Sequence, residues 1–556
     1  MFAQNDIVRR RLHLIVVKKK TIYYDSGERM KKFYLIKALL FVSLFYLILT
    51  FSFAGETATG IVFEDKNQNL KKDFDEKGIA KVLVSNQHEV VLTDENGQFS
   101  IPVDENAVIF ITKPAGYNVP LNNHNQPQFY FIHQPKGSPS EYKYPGVSPT
   151  GALPESIEFP LFKSEEPAKF EALIFGDPQP HNQERIYYLR DDILAGLLGT
   201  DAAFSLSLGD IAGDNLAVYD PLIRTMAALG IPNDFLPGNH DTNKESAGDE
   251  MSLETYKNKF GPSYYSFDYG QTHFVIMDSI EWHGATKDKK AWYRGMFGKR
   301  QLEWLTNDLQ YVPKDKLVVF AMHIAPYTVI SNSASDNIID REAMFRIIED
   351  REHLLILTGH NHTSEHHFLG EAEGWKGKKP LHIIICTAMC GSWYSGPKDE
   401  RGIPAATQQD GAPNGYYVFR FDGNQYSEKF IPAGLDPDFQ IRIESPVGTI
   451  KAEQIKDLQV VANIFDGSAR STVTCQIDAL APSSMNQQVM KSPYFDRLIK
   501  ENKDKFRSWI KPCPSNHFWT SPLPADLKPG LHTIVVKTTD QFGNTFSGKA
   551  IFEIEP

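Results

Sequence analysis

Ala172-Leu173-Ile174-Phe175-Gly176-Asp177-Pro178-Gln179 reads as an apolar strand that breaks on glycine into a loop carrying a carboxylate and a carboxamide. An apolar run this short, bounded by turn residues, fits a strand buried on both faces better than a helix. The same order recurs along the chain. Phe204 to Leu208 runs into Gly209-Asp210, with Gly213-Asp214-Asn215 behind it. Leu317 to Ala321 runs into Met322-His323, and Leu354 to Leu357 into Gly359-His360-Asn361-His362. A fifth segment, Gly238-Asn239-His240-Asp241, has the same composition. Between them, residues 186–198, 219–229 and 301–309 have amphipathic helical spacing. In an open α/β sheet the loops that follow strands converge on one edge, where ligands bind. Residues far apart in sequence are therefore expected to meet there.

The five segments offer only carboxylate, carboxamide and imidazole groups, the donors that suit a pair of hard-to-borderline metal ions. A two-metal hydrolase needs a carboxylate that bridges both ions, ligands for each, and open positions for water and a phosphoryl oxygen. Asp210 is the natural bridge, and Asp177 on the preceding loop serves the first ion. His360 and His362, one residue apart, can offer imidazoles to two sites, while His323 and the amide oxygen of Asn239 complete the second. Taken singly, a Gly-Asn-His-Asp run is usually a turn. It is the set of seven metal-competent residues that argues for chemistry. His366 and His367 read as strand-surface residues, and His273, His283 and His382 as satisfied polar residues.

The pattern resembles the calcineurin-like metallophosphoesterase superfamily, whose five motifs all find a match in the central domain. The resemblance implies a four-layer α/β/β/α sandwich and a binuclear site of iron, zinc or manganese. Carried over by position, Asp177, Asp210 and His362 hold the first ion, and Asp210, Asn239, His323 and His360 the second. His240 matches the family's non-ligand histidine, which contacts the phosphoryl group and serves the leaving oxygen. A metal-bridging hydroxide is then the in-line nucleophile. Two positions depart from the family. Gln179 stands where His is common, a weaker and neutral ligand for the first ion, with His181 as a remote substitute. The acid that orients the catalytic histidine commonly sits at the place of Gly213, which leaves Asp214 or Asn215 for that role.

At 556 residues the chain is long enough for several domains, and its net charge of -11 argues against a nucleic-acid scaffold and for a small-molecule or glycan-linked phosphoester. Residues 1–29 read as an upstream misassigned start. Residues 30–54 have the charged, apolar, small-residue order of a secretory signal, with an uncleaved membrane anchor as the alternative. Either way the body is expected outside the cytoplasm, in the periplasm or on the cell surface. Residues 55–125 alternate in short runs like an immunoglobulin- or prealbumin-like β-sandwich, and resemble modules of bacterial surface proteins. Its Asp65 to Glu76 loop reads as an Asx-rich turn rather than a calcium loop. Residues 126–168 read as a Pro/Gly/Ser-rich linker, 169–430 as the catalytic domain, and 431–556 as a β-rich domain with a helix over 494–510. In an oxidising compartment Cys475 and Cys513 can pair, while Cys386 and Cys390 read as small buried residues. Trp393 and Tyr394 lie on a loop that can place aromatic rings over a substrate. The three-part layout resembles exported enzymes of Bacteroidetes-type bacteria. The competing reading is a phosphatase-like cell-surface binding protein impaired through Gln179.

Overall fold

Two sheets carry the centre of the chain, and their loops carry the five segments. The computed structural model describes residues 56–556, so the expectations for 1–29 and 30–54 lie outside the described residues. The first sheet runs in the order Asn233–Leu236, Phe204–Leu208, Lys169–Phe175, Gly415–Asp422, Gln425–Pro432. Its first three strands are parallel and the last two antiparallel. The second runs Tyr265–Tyr269, Thr272–Ile276, Leu317–Ala321, Leu354–Thr358, Leu381–Ile385, Glu365–Leu369, parallel in its middle and antiparallel at both edges.

The strand that opened the sequence reading explains the layering. Ala172 and Ile174 pack into a core shared with Phe274 and Ile276 of the other sheet. Leu173 and Phe175, pointing the opposite way, pack on Ile186, Leu189, Leu222 and Ile223. Those four belong to helices Gln183–Asp192 and Tyr219–Met226. On the second sheet, helices Gly298–Leu309 and Arg341–Ile348 bury Trp304, Leu305, Met344 and Phe345. The result is helix, sheet, sheet, helix, with each fully buried large apolar side chain stabilising by roughly 1.5–3 kcal/mol. Asn182 caps the first helix by accepting from the Arg185 N–H, which starts it before the apolar spacing alone suggests.

The N-terminal sandwich has two four-stranded sheets, and it extends past the boundary expected at residue 125. Tyr130–His133 and Ile157–Lys163, inside the segment read as a linker, are strands of those sheets, the second lying parallel to Glu56–Glu64. Ile157, Phe159 and Leu161 are buried in alternation, a period-two signal that the surrounding Pro, Gly and Ser obscure. The Asp65 loop is closed by its own bonds: Asp65 accepts from the Gln68 and Leu70 N–H groups, and Glu76 from Lys66 and Asp73.

The C-terminal region forms two further sheets of four and five strands. Its helix is shorter than expected, Pro493–Glu501, capped by Ser492 with proline at its start. The expected disulfide is absent, and all four cysteines are free thiols. Cys475 is held within the strand Thr472–Ile477 of one sheet, whereas Cys513 precedes a strand of the other and lines the central pocket. His366 and His367 are buried rather than on a strand surface, because the C-terminal sheets cover their edge. Among the described residues no helix is long and apolar enough to cross a membrane.

Candidate metal centre

The loops following the central strands bring Gln179, Asp210, Asn239, His240, His360, His362 and Trp393 around one pocket of about 240 Å³. Asp177 and His323 lie buried beneath it. The backbone there is unusual: Asp177, Asp210, Asp214, His360 and His362 have φ of 37°, 49°, 67°, 74° and 52°. Left-handed non-glycine residues of this kind are strained and persist only where surrounding bonds fix them. The His360 N–H donates to Asp177 Oδ2 at 2.9 Å, and the His240 N–H to Asp210 Oδ1 at 2.9 Å. Asp241 clamps two loops at once, accepting from the Ile211, Ala212 and Gly238 N–H groups at 3.0, 3.0 and 2.8 Å and from Tyr219 Oη at 2.8 Å. A side chain on Gly238 would collide with Asp210, its Cβ falling 2.2 Å from Oδ1.

The donors pair across the pocket. His323 Nε2 lies 3.3 Å from Asp210 Oδ1, 3.2 Å from Asn239 Oδ1 and 3.2 Å from His360 Nδ1. His362 Nε2 lies 3.8 Å from Asp177 Oδ1. The remaining nitrogens of two rings are anchored to carbonyls, His323 Nδ1 to Leu208 and His362 Nδ1 to Gly391, at 2.8 and 2.5 Å, the outer support typical of metal-ligating histidines. Gln179 is buried beside the cluster and donates through Nε2 to Asp210 Oδ2 at 3.0 Å. In this orientation the amide nitrogen, not the oxygen, faces Asp210.

Asp214 meets His240, with Oδ1 at 2.5 Å from Nδ1, and Lys244 reaches the same carboxylate at 2.7 Å. Asn215 is committed elsewhere, to the His181 carbonyl and Tyr144. Gly213 cannot hold the family's acid, since a Cβ there would lie 2.6 Å from the His181 ring. Trp393 stacks on His362 with ring centroids 4.1 Å apart. Tyr394 turns away from the pocket, into the helix-side core, with its hydroxyl on the Pro178 carbonyl. That removes Tyr394 as a direct substrate contact: its ring is buried in the helix-side core, and of the two neighbours only Trp393 lines the pocket. Residues that the motifs did not reveal also line the pocket, among them Tyr293, Asp336, Gln409 and Cys513. None belongs to a strand–loop run carrying carboxylate, carboxamide and imidazole together, so the motif pattern does not mark them.

The electrostatics follow from packing charges out of water. Burial pushes Asp177 up to about 7, with Asp210 adding to the effect against the pull of His323. Burial works against the Asp210 carboxylate too, but the charges of His323 and His240 hold it well below the usual range. Burial lowers His323, yet Asp210 outweighs it and raises the ring to about 9. His362 lacks so close a carboxylate, and burial takes it down to about 4. Against burial, the His240 and Lys244 bonds hold Asp214 at about 2. Asp210, His323 and His360 each point a ligand atom into one space, all within 4.8 Å. His323 Nε2 and His360 Nδ1 facing each other beside Asp210 fit a divalent cation that takes the place of the His323 proton, in the carboxylate–imidazole chemistry such ions take. A larger cavity of about 440 Å³, lined by Lys113, Phe129 and Phe204, carries no comparable donor set.

A family model matches the stretch that holds all five segments. Residues 171–364 match the profile of calcineurin-like phosphoesterase. Residues 66–147 match the N terminal of calcineurin-like phosphoesterase, and 384–546 the C terminal of calcineurin-like phosphoesterase. Two solved structures are similar at 12% identity and TM-score 0.35: a purple acid phosphatase, PPD1, from yellow lupin (Lupinus luteus) seeds, and PhoD. Each alignment covers 68% of this chain, with 73% of the lupin protein and 87% of PhoD. No curated protein matches the chain. Fold and site define a metal-dependent phosphoester hydrolase. The chain belongs to the calcineurin-like phosphoesterases and carries the N- and C-terminal domains that extend the catalytic one in this family.

Proposed function

We propose that this protein is an exported phosphoesterase that holds two metal ions, of iron, zinc or manganese, and hydrolyses a small-molecule or glycan-linked phosphomonoester or phosphodiester. The observation that carries the two-ion reading is the division of labour in Asp210. Its Oδ1 faces His323 at 3.3 Å, while Oδ2 faces Gln179 at 3.0 Å and His240 Nε2 at 3.9 Å. One carboxylate thus turns one oxygen to the His323 side of the pocket and the other to the Gln179 and His240 side. Asp177 and His362 fall to the first ion, with Gln179 beside them; Asn239, His323 and His360 fall to the second. Ions bound there supply an activated water and charge neutralisation at the phosphoryl oxygens.

The chain's own residues supply the rest. His240, tied through Nδ1 to Asp214, turns Nε2 into the pocket. Burial lowers its basicity, but Asp210 and Asp214 outweigh burial and keep the ring cationic beyond the usual range of a free imidazole. It is placed to hold a proton for the leaving oxygen. Trp393 and Tyr293 wall the approach. Export rests on residues 30–54, whose pattern is that of a cleaved leader; the mature terminus, read by sequencing, should not begin before Gly55.

The decisive experiment is elemental analysis of the purified full chain beside assays on a phosphomonoester and a phosphodiester, for wild type and His240→Ala. Loss of a general acid costs about 10²–10⁴-fold in rate, here with bound metal retained. A chain without metal, and without His240-dependent hydrolysis across a broad panel, would leave only the binding-protein reading.

A further inference from the structure

A second cluster of metal-competent side chains lies apart from the pocket, where four sheets meet. His366 sits on Glu365–Leu369, an edge strand of the six-stranded central sheet, and Glu428 on Gln425–Pro432, an edge strand of the five-stranded one. Asp466 follows Gln459–Ile464 and Thr538 lies on Gly530–Thr539, strands of the two C-terminal sheets. His366 Nε2 is 2.8 Å from Asp466 Oδ1 and 4.0 Å from Glu428 Oε1, and the three ligand atoms all fall within 4.8 Å. None of these residues takes part in the catalytic cluster.

The surroundings leave the carboxylates short of positive charge. The neighbouring Lys429 ammonium is drawn off to Asp438 at 3.0 Å, and the Arg470 guanidinium lies over the Phe368 ring at 3.8 Å. Glu428 and His366 are buried, and a buried carboxylate is retained only with a compensating partner. Glu428, Asp466 and Thr538 line a cavity of about 20 Å³, room for one water-sized occupant. Thr538 is an independent pointer to that occupant. It is 2% exposed, and its hydroxyl has no hydrogen-bond partner, an arrangement that is costly unless something fills the space. His366 is also oriented for ligation. Its Nδ1 lies 3.0 Å from His382 Nε2, whose own Nδ1 lies 2.6 Å from Tyr426 Oη. This is the outer-shell chain that fixes a metal-binding imidazole with its other nitrogen toward the ion.

We propose that His366, Glu428 and Asp466, with the Thr538 hydroxyl beside them, bind a structural divalent cation of the zinc class that fastens the C-terminal sheets to the catalytic ones. One imidazole and two carboxylates form a donor set for zinc or manganese. The ion here touches no substrate; it holds the edges of two sheets against two others.

The test measures zinc per chain by mass spectrometry after removal of metal from the full-length protein and reloading with Zn²⁺ alone. Glu428→Gln and Asp466→Asn should each hold one equivalent fewer than wild type and lose the zinc-dependent rise in thermal midpoint, while hydrolysing phosphoesters at the wild-type rate. A double variant of the catalytic centre, Asp210→Asn with His323→Ala, should still hold one ion, and adding Glu428→Gln should take that ion away. Equal zinc content in wild type and both junction variants overturns the proposal, as does a catalytic double variant that binds none. If Glu428→Gln does not fold, the catalytic double variant still decides the matter.

Discussion

The pocket and the buried cluster around His273 contain the same residue types and do opposite things with them. His273, on the strand Thr272–Ile276, commits both nitrogens to carboxylates, Nδ1 to Asp268 and Nε2 to Asp308, each at 2.8 Å. Lys316 closes on Asp268 at 2.7 Å and the Ser266 hydroxyl on Asp308 at 2.7 Å. In the pocket His323 and His360 face each other at 3.2 Å, and His360, like Asp177, Asp210 and His362 around it, has a left-handed backbone. What distinguishes a metal centre from a structural knot is therefore not composition but imidazole nitrogens turned on one another around a shared carboxylate, rather than each closed by a carboxylate of its own. If this is right, substitutions in the two clusters should fail in different ways: in the pocket through activity and metal content, around His273 through stability.

The largest effect belongs to Asp210, the residue on which both donor groups depend. Asp210→Asn should lower hydrolysis by more than the ~10–100-fold that loss of a merely supporting residue costs, and it should release metal with little change in unfolding temperature. Elemental analysis beside a melting curve checks it. Full two-ion occupancy in the variant would reject the bridging role and, with it, the difference between the two clusters.

His273 tests the other side. Burial lowers an imidazole, but Asp308 and Asp268 outweigh it and raise His273 to about 9. Because the folded value lies above the unfolded one, the cluster's contribution is fully present below pH 6.5 and is lost as pH rises through about 9. A shift of this size corresponds to roughly 3 kcal/mol. Urea unfolding from pH 6 to 10 should show wild type losing stability across that window and His273→Gln starting lower and changing less. Parallel curves for the two proteins would count against the assignment.

Asp214→Asn should be milder, about 10–100-fold in kcat, because the carboxylate acts through His240 rather than on substrate. The useful readout is the pH profile. Without Asp214 the His240 ring loses a partner that holds it cationic, so the limb that reports its deprotonation should move to lower pH. A uniform fall in rate with no movement of that limb would reduce Asp214 to a packing residue.

How far the sequence reveals these two regions follows from the range of the forces involved. Strand–Gly–ligand runs are local, and every one of the five segments lies in a loop after a central strand. The fold class was readable for the same reason, from runs such as Leu173 to Phe175 that bury both faces. Gln179 and His362 could be placed near one another, but not the orientation of the Gln179 amide. Tyr394 and Trp393 are adjacent and indistinguishable by composition, yet only the structure shows one lining the pocket and the other the core. Cys513 and Asp336 reach the pocket from distant loops that carry no pattern, and the burial of His366 depends on sheets that begin some seventy-five residues later. Such long-range packing leaves no periodic trace.

Gln179 is the point at which the pocket most resembles the His273 knot, because its amide donates to Asp210 Oδ2 at 3.0 Å and so commits an oxygen that a bridging role needs free. Its own carbonyl oxygen faces the Cys390 thiol at 3.7 Å, in a space closed to bulk water. Gln179→His removes the amide donor and puts in its place an imidazole, a stronger ligand for zinc or iron than a neutral carboxamide. The exchange should act on metal affinity rather than on the chemical step. Titration of the metal-free chain should reach half-occupancy of the weaker site at a free zinc concentration lower by about tenfold, the size of one outer-shell contribution, while the rate at saturating metal changes only a few-fold. Superimposable titrations would mean that Asp210 Oδ2 is already free to bridge with the amide in place, and that the donated hydrogen bond is no obstacle to the ion.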